Sequence, residues 1–275
     1  MFWARAISFP LLLAIFFAMI FWTYGAWIFA IIVPFMLAMA GYEFCNILQK
    51  LELKCSSKIV AAVMFLFGVV FVCGETQRCV PLTFFFYIIF PFAAVFFAFF
   101  GMLFIKDRKN YFLKRFTEFG SIIFLFLLYL PLLTIYSDSK NFLFLVLVTK
   151  MTDTGGYIFG KLTSMLPWGN HKIAPNFSPK KSYEGLFGGM LMSVGAGLIL
   201  LKYGCSPFSL VMTTISSIIL SLGSFAGDLT ESALKREADI KDSGNWIPGM
   251  GGIFDVLDSF IYNGMIFMVL LGFAR

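Results

Sequence analysis

The chain has 275 residues, of which 60% are hydrophobic and only 13% are charged. Soluble domains average about 45–50% apolar and about 25% charged residues, so this composition excludes an ordinary water-soluble enzyme, a disordered chain, a coiled coil and a small disulfide scaffold. The formal net charge of +6 comes without a basic helix or a basic patch interleaved with aromatic residues, so no nucleic-acid partner is predicted. Uninterrupted apolar runs, unlike the alternating segments of a membrane β-barrel, predict spanning helices.

Nine segments are apolar enough to cross a bilayer, which takes about 20 residues per helix. The first two share residues 7–44, with a break near 23–25. The other seven are, in chain order, 59–74, 81–105, 119–136, 141–159, 183–203, 207–226 and 253–273. The predicted fold class is therefore all-α, a polytopic integral membrane protein. Spans one to four and a basic loop form an N-terminal transmembrane region, 1–118, and spans five to nine form a C-terminal region, 119–275.

The placement of basic residues predicts the orientation of these spans. Most of the 21 Lys and Arg residues lie in the loops that follow spans two, four, six and eight. Loops on the cytoplasmic side of a membrane carry an excess of Lys and Arg. The N-terminus is therefore predicted to lie outside and the C-terminus in the cytoplasm, together with the two loops in which polar residues gather, 151–189 and 227–260.

Asp153 and Lys150 are charged residues within the sixth predicted span. Asp153 lies about 18 Å along that helix from Asn141, and a charge at such a depth costs several kcal/mol unless it is paired or faces a water-filled cavity. Two interpretations are open: a structural Lys150–Asp153 ion pair between helices, or an Asp153 that lines a polar cavity. The adjacent Gly155 and Gly156 favour the second, because small residues allow close approach of a ligand or a helix.

Two pairs of carboxylates stand at the ends of spans eight and nine. Asp228 and Glu231 are three residues apart, as are Asp255 and Asp258, and this spacing places both members of a pair on one helical face. Such carboxylates are acceptors for a hard cation such as Mg²⁺, which combines one or two of them with phosphate oxygens. The alternative is that all four are solvated at the membrane boundary.

Basic residues lie between and beside these carboxylates. Their side chains suit a polyanionic phosphate substrate, although Lys pairs near a bilayer also serve as topology signals or contact anionic lipids. The residues concerned are Lys180, Lys181, Lys235, Arg236 and Lys241.

A glycine-rich stretch precedes the last span. Gly249, Gly251 and Gly252 are predicted to present backbone N–H groups there, next to a helix N-terminus that favours anions. A glycine-rich stretch is a weak signal on its own, because many such loops are only turns.

The cysteines and the single histidine carry little chemistry. The five Cys are scattered without a CxxC pair, so metal–thiolate and redox motifs are not predicted. Cys73 and Cys79 flank a short outer loop, where a disulfide suits an oxidising compartment, but unpaired membrane cysteines are the favoured interpretation. With His171 as the only histidine, a multi-histidine zinc site is excluded.

The order of the polar residues resembles the bacterial phosphatidate cytidylyltransferases, or CDP-diacylglycerol synthases. The resemblance covers roughly residues 150–260. It rests on Asp153-Thr154-Gly155, Gly160-Lys161, Ser178-Pro179-Lys180-Lys181-Ser182, Gly227-Asp228, Glu231-Ser232, Lys235-Arg236, Lys241-Asp242-Ser243-Gly244, Pro248-Gly249, Gly251-Gly252, and Asp255 with Asp258. Three positions depart from the family pattern: Met250 stands where many members have His, Val256 where many have Arg, and Lys150 where an aromatic residue is common.

The resemblance implies the reaction of CTP with phosphatidate to give CDP-diacylglycerol and pyrophosphate, in the bacterial inner membrane with the site facing the cytoplasm. It implies Mg²⁺ as cofactor, with a second cation and a homodimer left open, and makes 119–275 the catalytic region. Catalytic roles fall to Asp228, Asp255 and Asp258, metal binding to Asp228, Asp255 and Glu231, and substrate binding to Asp153, Ser178, Lys180, Lys181, Lys235, Arg236 and Lys241. The alternatives are a CTP-dependent lipid kinase and a transporter of a phosphorylated solute.

Overall fold

The computed structural model describes residues 14–22, 25–76, 111–166, 169–249 and 251–273. Residues 14–21 are helical. The elements that follow are α1 (Gly25–Lys50), α2 (Ser57–Thr76), α3 (Tyr111–Tyr136), α4 (Ser139–Ser164), β1 (Lys172–Ala174), β2 (Ser178–Ser182), α5 (Tyr183–Lys202), α6 (Leu210–Glu237), α7 (Ile253–Leu257) and α8 (Phe260–Phe273).

The predicted helical membrane fold is confirmed in its main features. Within the described ranges, six helical segments are long and apolar enough to cross a membrane: Gly25–Lys50, Leu113–Tyr136, Ser139–Ser164, Tyr183–Lys202, Leu210–Glu237 and Ile253–Phe273. They correspond to predicted spans two and five to nine. The third predicted span is a shorter apolar helix, Ser57–Val72. The fourth, 81–105, and residues 7–13 of the first lie outside the described residues.

A two-stranded β-hairpin departs from the all-α prediction. Strand β1 pairs antiparallel with β2, with Lys172 opposite Ser182 and Ala174 opposite Ser178. The side chain of Ser182 then caps α5 by accepting the N–H of Gly185 at 3.1 Å, which is the usual role of a serine at a helix start. Glu184, in the first turn of α5, accepts hydrogen bonds from the backbone of His171 at 3.1 and 3.2 Å. The hairpin is therefore tied to the start of α5.

The chain divides into two compact units. Unit one comprises Met1–Leu127 and Glu237–Val256, and unit two comprises Leu128–Arg236 and Leu257–Arg275. Within each unit, residues contact one another more than they contact the rest of the chain. The N-terminal and C-terminal regions drawn from the sequence, 1–118 and 119–275, stay a prediction.

Unit one is built around helices α1 and α2. The two helices pack closely at Gly68 of α2, where an added Cβ would collide with the backbone of Pro34 in α1. A disulfide joins Cys45 of α1 to Cys55, which precedes α2. This pair was not singled out from the sequence. The pairing considered there, Cys73 with Cys79, is not addressed, because Cys79 and the side chain of Cys73 lie outside the described part.

Unit two is organised by a close contact between α4 and α5. A Cβ at Gly155 would lie 2.7 Å from the carbonyl oxygen of Gly188 and 3.0 Å from the Cα of Gly189. Helices in lipid gain little from expelling water, so they rely on such close backbone contacts between small residues. The glycines that accompany Asp153 in the sequence thus serve helix approach, one of the two uses that the sequence left open.

Replacing Gly155 by alanine is expected to destabilise unit two, because the new methyl group would overlap α5. Overpacking of this kind typically costs about 1–3 kcal/mol. The neighbouring Gly156→Ala is a matched control, since its Cβ would meet the carbonyl oxygen of Gly185 at an ordinary 3.6 Å. Thermal unfolding of the two detergent-solubilised variants measures the difference. Equal melting temperatures would contradict the packing of α4 on α5.

Candidate functional site

Three carboxylates of unit two come together from separate parts of the sequence, and we name Asp153, Asp228 and Asp258 the acidic cluster. Asp153 lies on α4, Asp228 on α6, and Asp258 in the turn between α7 and α8. A Cβ at Gly227 would collide with the backbone carbonyl of Asp258, so the two chain segments touch beside Asp228. Asp228 lies within electrostatic range of both other carboxylates. The fold thus concentrates negative charge among membrane helices.

Two serine hydroxyls connect the members of this cluster. The hydroxyl of Ser224 donates to Oδ1 of Asp153 at 2.9 Å. The hydroxyl of Ser259 lies 2.9 Å from Oδ2 of Asp153 and 3.0 Å from Oδ1 of Asp258, so it bridges the two. Sequence reasoning missed both serines. The sequence does contain a clue to both serines in their positions: Ser224 lies one helical turn before Asp228, and Ser259 directly follows Asp258.

Two lysines partly neutralise the acidic cluster. Lys150 approaches Oδ2 of Asp153 within 3.1 Å, one turn away on the same helix. Lys181 approaches Oδ2 of Asp228 within 3.0 Å and lies 4.7 Å from the centre of the Phe225 ring. The Lys150–Asp153 ion pair, the less favoured of the two interpretations left open by the sequence, is present, although within α4 rather than between helices. Three carboxylates facing two lysines leave one formal negative charge.

One oxygen of Asp228 has the properties of a cation ligand. Its Oδ1 is buried and, in the described part of the chain, has no hydrogen-bond partner. Leaving a buried charged oxygen without a partner is costly, and a bound cation removes that cost. Among the described residues, no three His, Cys, Asp or Glu side chains form a ready-made metal site.

Glu231 and its neighbours are engaged within unit two. Glu231 is almost fully buried and accepts a hydrogen bond from Lys235 at 2.9 Å, one turn further along α6. Arg236 donates from Nε to the carbonyl oxygen of Phe177 at 3.4 Å, which ties the end of α6 to the hairpin turn. Arg236 therefore lies beside the hairpin, whereas Lys235 pairs with Glu231 within α6.

The hairpin separates the two adjacent lysines of the predicted phosphate site. Successive side chains of a strand point to opposite faces. Lys181 faces Asp228, and its side chain is 18% exposed, whereas Lys180 is exposed to solvent. Ser178, at the start of β2, is half-buried. The described structure thus brings Lys181, but not Lys180, to the acidic cluster.

Asp255 belongs to unit one and serves there as a backbone anchor. Its carboxylate accepts the N–H of Ser243 at 2.9 Å and that of Gly252 at 2.7 Å. The sequence predicted one helical face for Asp255 and Asp258, but this is wrong: α7 ends at Leu257, and Asp258 lies in the turn that follows. Joint Mg²⁺ ligation by Asp228 and Asp255 stays a prediction.

In the glycine-rich stretch before α7, the N–H groups of Gly251 and Gly252 are already hydrogen-bonded within unit one. Gly249 and Gly251 adopt positive φ angles of 79° and 98°, which glycine tolerates best. The N–H of Gly251 bonds to the carbonyl of Ile247, and that of Gly252 bonds to Asp255. The Ile247 carbonyl and the Asp255 carboxylate therefore bind two N–H groups that the sequence predicted to be available to an anion. Lys241 is exposed in the loop that leads to this stretch.

Comparison with known proteins places these residues in a family. The sequence profile of the cytidylyltransferase family matches residues 3–274. The phosphatidate cytidylyltransferase of Staphylococcus epidermidis is 41% identical over 123 residues, which cover 45% of each chain. That of Staphylococcus saprophyticus is 43% identical over 120 residues, or 44% of each chain.

A protein of Escherichia coli named uncharacterized protein YnbB is 32% identical over 148 residues, which cover 54% of this chain and 48% of that protein. The matching segments thus span about half the length of these curated relatives. The family profile, in contrast, spans nearly the whole chain. This protein belongs to the cytidylyltransferase family.

Proposed function

We propose that this protein is a phosphatidate cytidylyltransferase, which converts CTP and phosphatidate to CDP-diacylglycerol and pyrophosphate. The observation that carries the proposal is the acidic cluster, with its two lysines and the unpartnered Oδ1 of Asp228, on helices able to span a membrane. A lipid phosphate must meet a nucleotide triphosphate at the membrane, and both are anions. A site of this kind holds cations and basic side chains where that repulsion has to be offset. The names of the staphylococcal relatives support the same substrate.

The residues suit attack by one phosphate on another. An oxygen of the phosphatidate phosphate forms a bond to the α-phosphorus of CTP, and the bond from that phosphorus to the β-phosphate oxygen breaks to release pyrophosphate. Mg²⁺, when bound, supplies positive charge that offsets charge on the departing pyrophosphate. Asp228 would hold it through Oδ1, with Asp258 and Asp153 nearby. Lys181 would turn from Asp228 to a phosphate oxygen, and Ser224 and Ser259 keep Asp153 oriented.

We further propose that the protein has nine spans and lies in the bacterial inner membrane, with its C-terminus and the site on the cytoplasmic side. The distribution of Lys and Arg supports this orientation. CTP is a cytoplasmic metabolite, so cytoplasmic access also suits the proposed substrate.

Position-specific labelling of CTP tests the proposed reaction against its alternatives. In a detergent-solubilised assay with phosphatidate, label at the α-phosphate should enter the lipid product, and label at the γ-phosphate should enter pyrophosphate. A CTP-dependent lipid kinase, supplied with diacylglycerol as the acceptor, transfers γ-label to the lipid and leaves α-label in CDP. A transporter gives no labelled lipid from either nucleotide. Either of those two outcomes would overturn the proposal.

A further inference from the structure

Glu43 is a buried carboxylate far along the chain from the acidic residues considered so far. It lies on the apolar helix α1 and is 1% exposed. A buried carboxylate is costly unless several donors compensate its lost hydration. Its partners therefore indicate why an otherwise apolar helix carries an acid there.

All the hydrogen bonds described for Glu43 come from the segment just before and within α7. Oε1 accepts the N–H of Ile253 at 3.2 Å. Oε2 accepts the N–H of Phe254 at 2.8 Å and the hydroxyl of Ser243 at 3.1 Å. The Phe254 amide is 211 positions away along the chain. We name Ser243 to Phe254, apart from the undescribed residue 250, the clamped loop.

The clamped loop is also shaped to receive this carboxylate. A Cβ at Gly244 or at Gly252 would collide with the carboxylate of Glu43. Only glycine leaves room for the acid at both positions. Hydrogen bonds and steric fit thus indicate the same contact. Gly244 and Gly252, which both belong to the polar loop 227–260, lie against the carboxylate of Glu43.

Asp255 also accepts hydrogen bonds from the clamped loop. It accepts the N–H groups of Ser243 and Gly252, while Glu43 accepts those of the two residues immediately before Asp255. The peptide that carries Asp255 is thereby fixed by Glu43.

We propose that Glu43 is a positioning residue, which sets the clamped loop and, through it, Asp255. In the reaction this inference rests on the proposed function together with the sequence prediction that Asp255 binds Mg²⁺. No sequence pattern indicates this role, because the motif residues all lie beyond position 150, whereas Glu43 lies in the N-terminal region.

Unit one contains a matched comparison residue, Glu118. It is 2% exposed, accepts the N–H of Ser56 at 2.9 Å and pairs with Arg115. Glu118 is thus an equally buried carboxylate that anchors a different segment, the turn before α2. Replacing either acid by glutamine keeps its size and turns one acceptor oxygen into an NH₂ donor, which cannot accept a hydrogen bond.

Hydrogen exchange of the full-length protein tests the contact independently of activity. In Glu43→Gln, the amides of Ile253 and Phe254 should exchange at least tenfold faster, with Ser56 unchanged. In Glu118→Gln, the amide of Ser56 should accelerate and the clamped loop should not. Unchanged exchange in the clamped loop of Glu43→Gln would overturn the proposal. If that variant does not accumulate, Ser243→Ala, which removes one hydroxyl donor, should accelerate the same amides at least threefold, and no acceleration would overturn it.

The Mg²⁺ dependence of turnover separates positioning from simple support of the fold. Glu43→Gln should raise the half-saturating Mg²⁺ concentration at least fivefold, whereas Glu118→Gln should change it less than twofold. A role confined to folding lowers the amount of active protein and leaves that concentration unchanged, which would overturn the positioning role. If the unmodified protein transfers no α-label from CTP, the proposed function fails, while the exchange result still decides the role of Glu43.

Discussion

Replacing Asp228 by asparagine is expected to lower cytidylyl transfer at least a hundredfold, which corresponds to about 3 kcal/mol of activation free energy. The substitution keeps the size of the side chain and removes its charge. It replaces one carboxylate oxygen by an NH₂ group, so it removes the negative charge shared by the unpartnered buried oxygen and breaks the ion pair with Lys181. Initial rates with CTP and phosphatidate at saturating Mg²⁺ measure the effect.

The control for this variant is Glu237→Gln, the same carboxylate-to-amide change at the exposed end of α6. It should leave the rate within twofold of the unmodified protein. Both variants should insert in the membrane and unfold at similar temperatures, because neither change alters helix packing. Near-normal turnover in Asp228→Asn would mean that Asp228 is not a required cation ligand, and the site would have to be rebuilt around Asp153 and Asp258.

Replacing Lys181 by methionine should reduce kcat/KM about thirtyfold, equivalent to about 2 kcal/mol. Lys181 supplies positive charge to Asp228, and charged groups interact strongly where little water separates them. Methionine retains much of the apolar stem that lies near the ring of Phe225, so the change tests the charge. The measurement is kcat/KM for CTP at fixed phosphatidate.

Two other lysines of the hairpin make this test specific. Lys172→Met, at an exposed position on β1, should have less than a twofold effect. Lys180→Met, next to Lys181 but exposed on β2, should reduce kcat/KM less than Lys181→Met does. Equal losses at positions 180 and 181 would contradict the assignment of Lys181 as the inward-facing lysine.

Much of the helical fold could be predicted because hydrocarbon thickness fixes the length of an apolar span. The span predicted for 141–159 corresponds to a described helix, Ser139–Ser164, and that for 183–203 to Tyr183–Lys202. The break at Asp258–Ser259 was missed, because neither Pro nor Gly marks it and apolar residues stand on both sides. The hairpin was missed as well, since β1 has three residues and is too short for a periodic pattern.

The candidate site was predictable in its residue types and only partly in its geometry. Asp153, Asp228 and Lys181 were recognised because charges near apolar spans need a reason to be there. Their neighbours in space were not predictable, because Ser224 contacts Asp153 across 71 positions of sequence. Glu43 was overlooked for the same reason. Spacing rules identify partners within a helix, but they contain no information on which helices meet.

The contact of Gly155 with Gly188 has a further consequence for the acidic cluster. Asp153 lies two residues before Gly155, and Lys181 lies four residues before Gly185, which meets Gly156 across the same helix pair. The backbones that carry these charges are therefore held in register by helix packing. Preorganised charge of this kind needs no rearrangement when a reaction begins. Packing of α4 on α5 offsets the mutual repulsion of the carboxylates. The proposed reaction needs these charges close together, whereas stability favours keeping them apart, so the two make opposing demands on these helices.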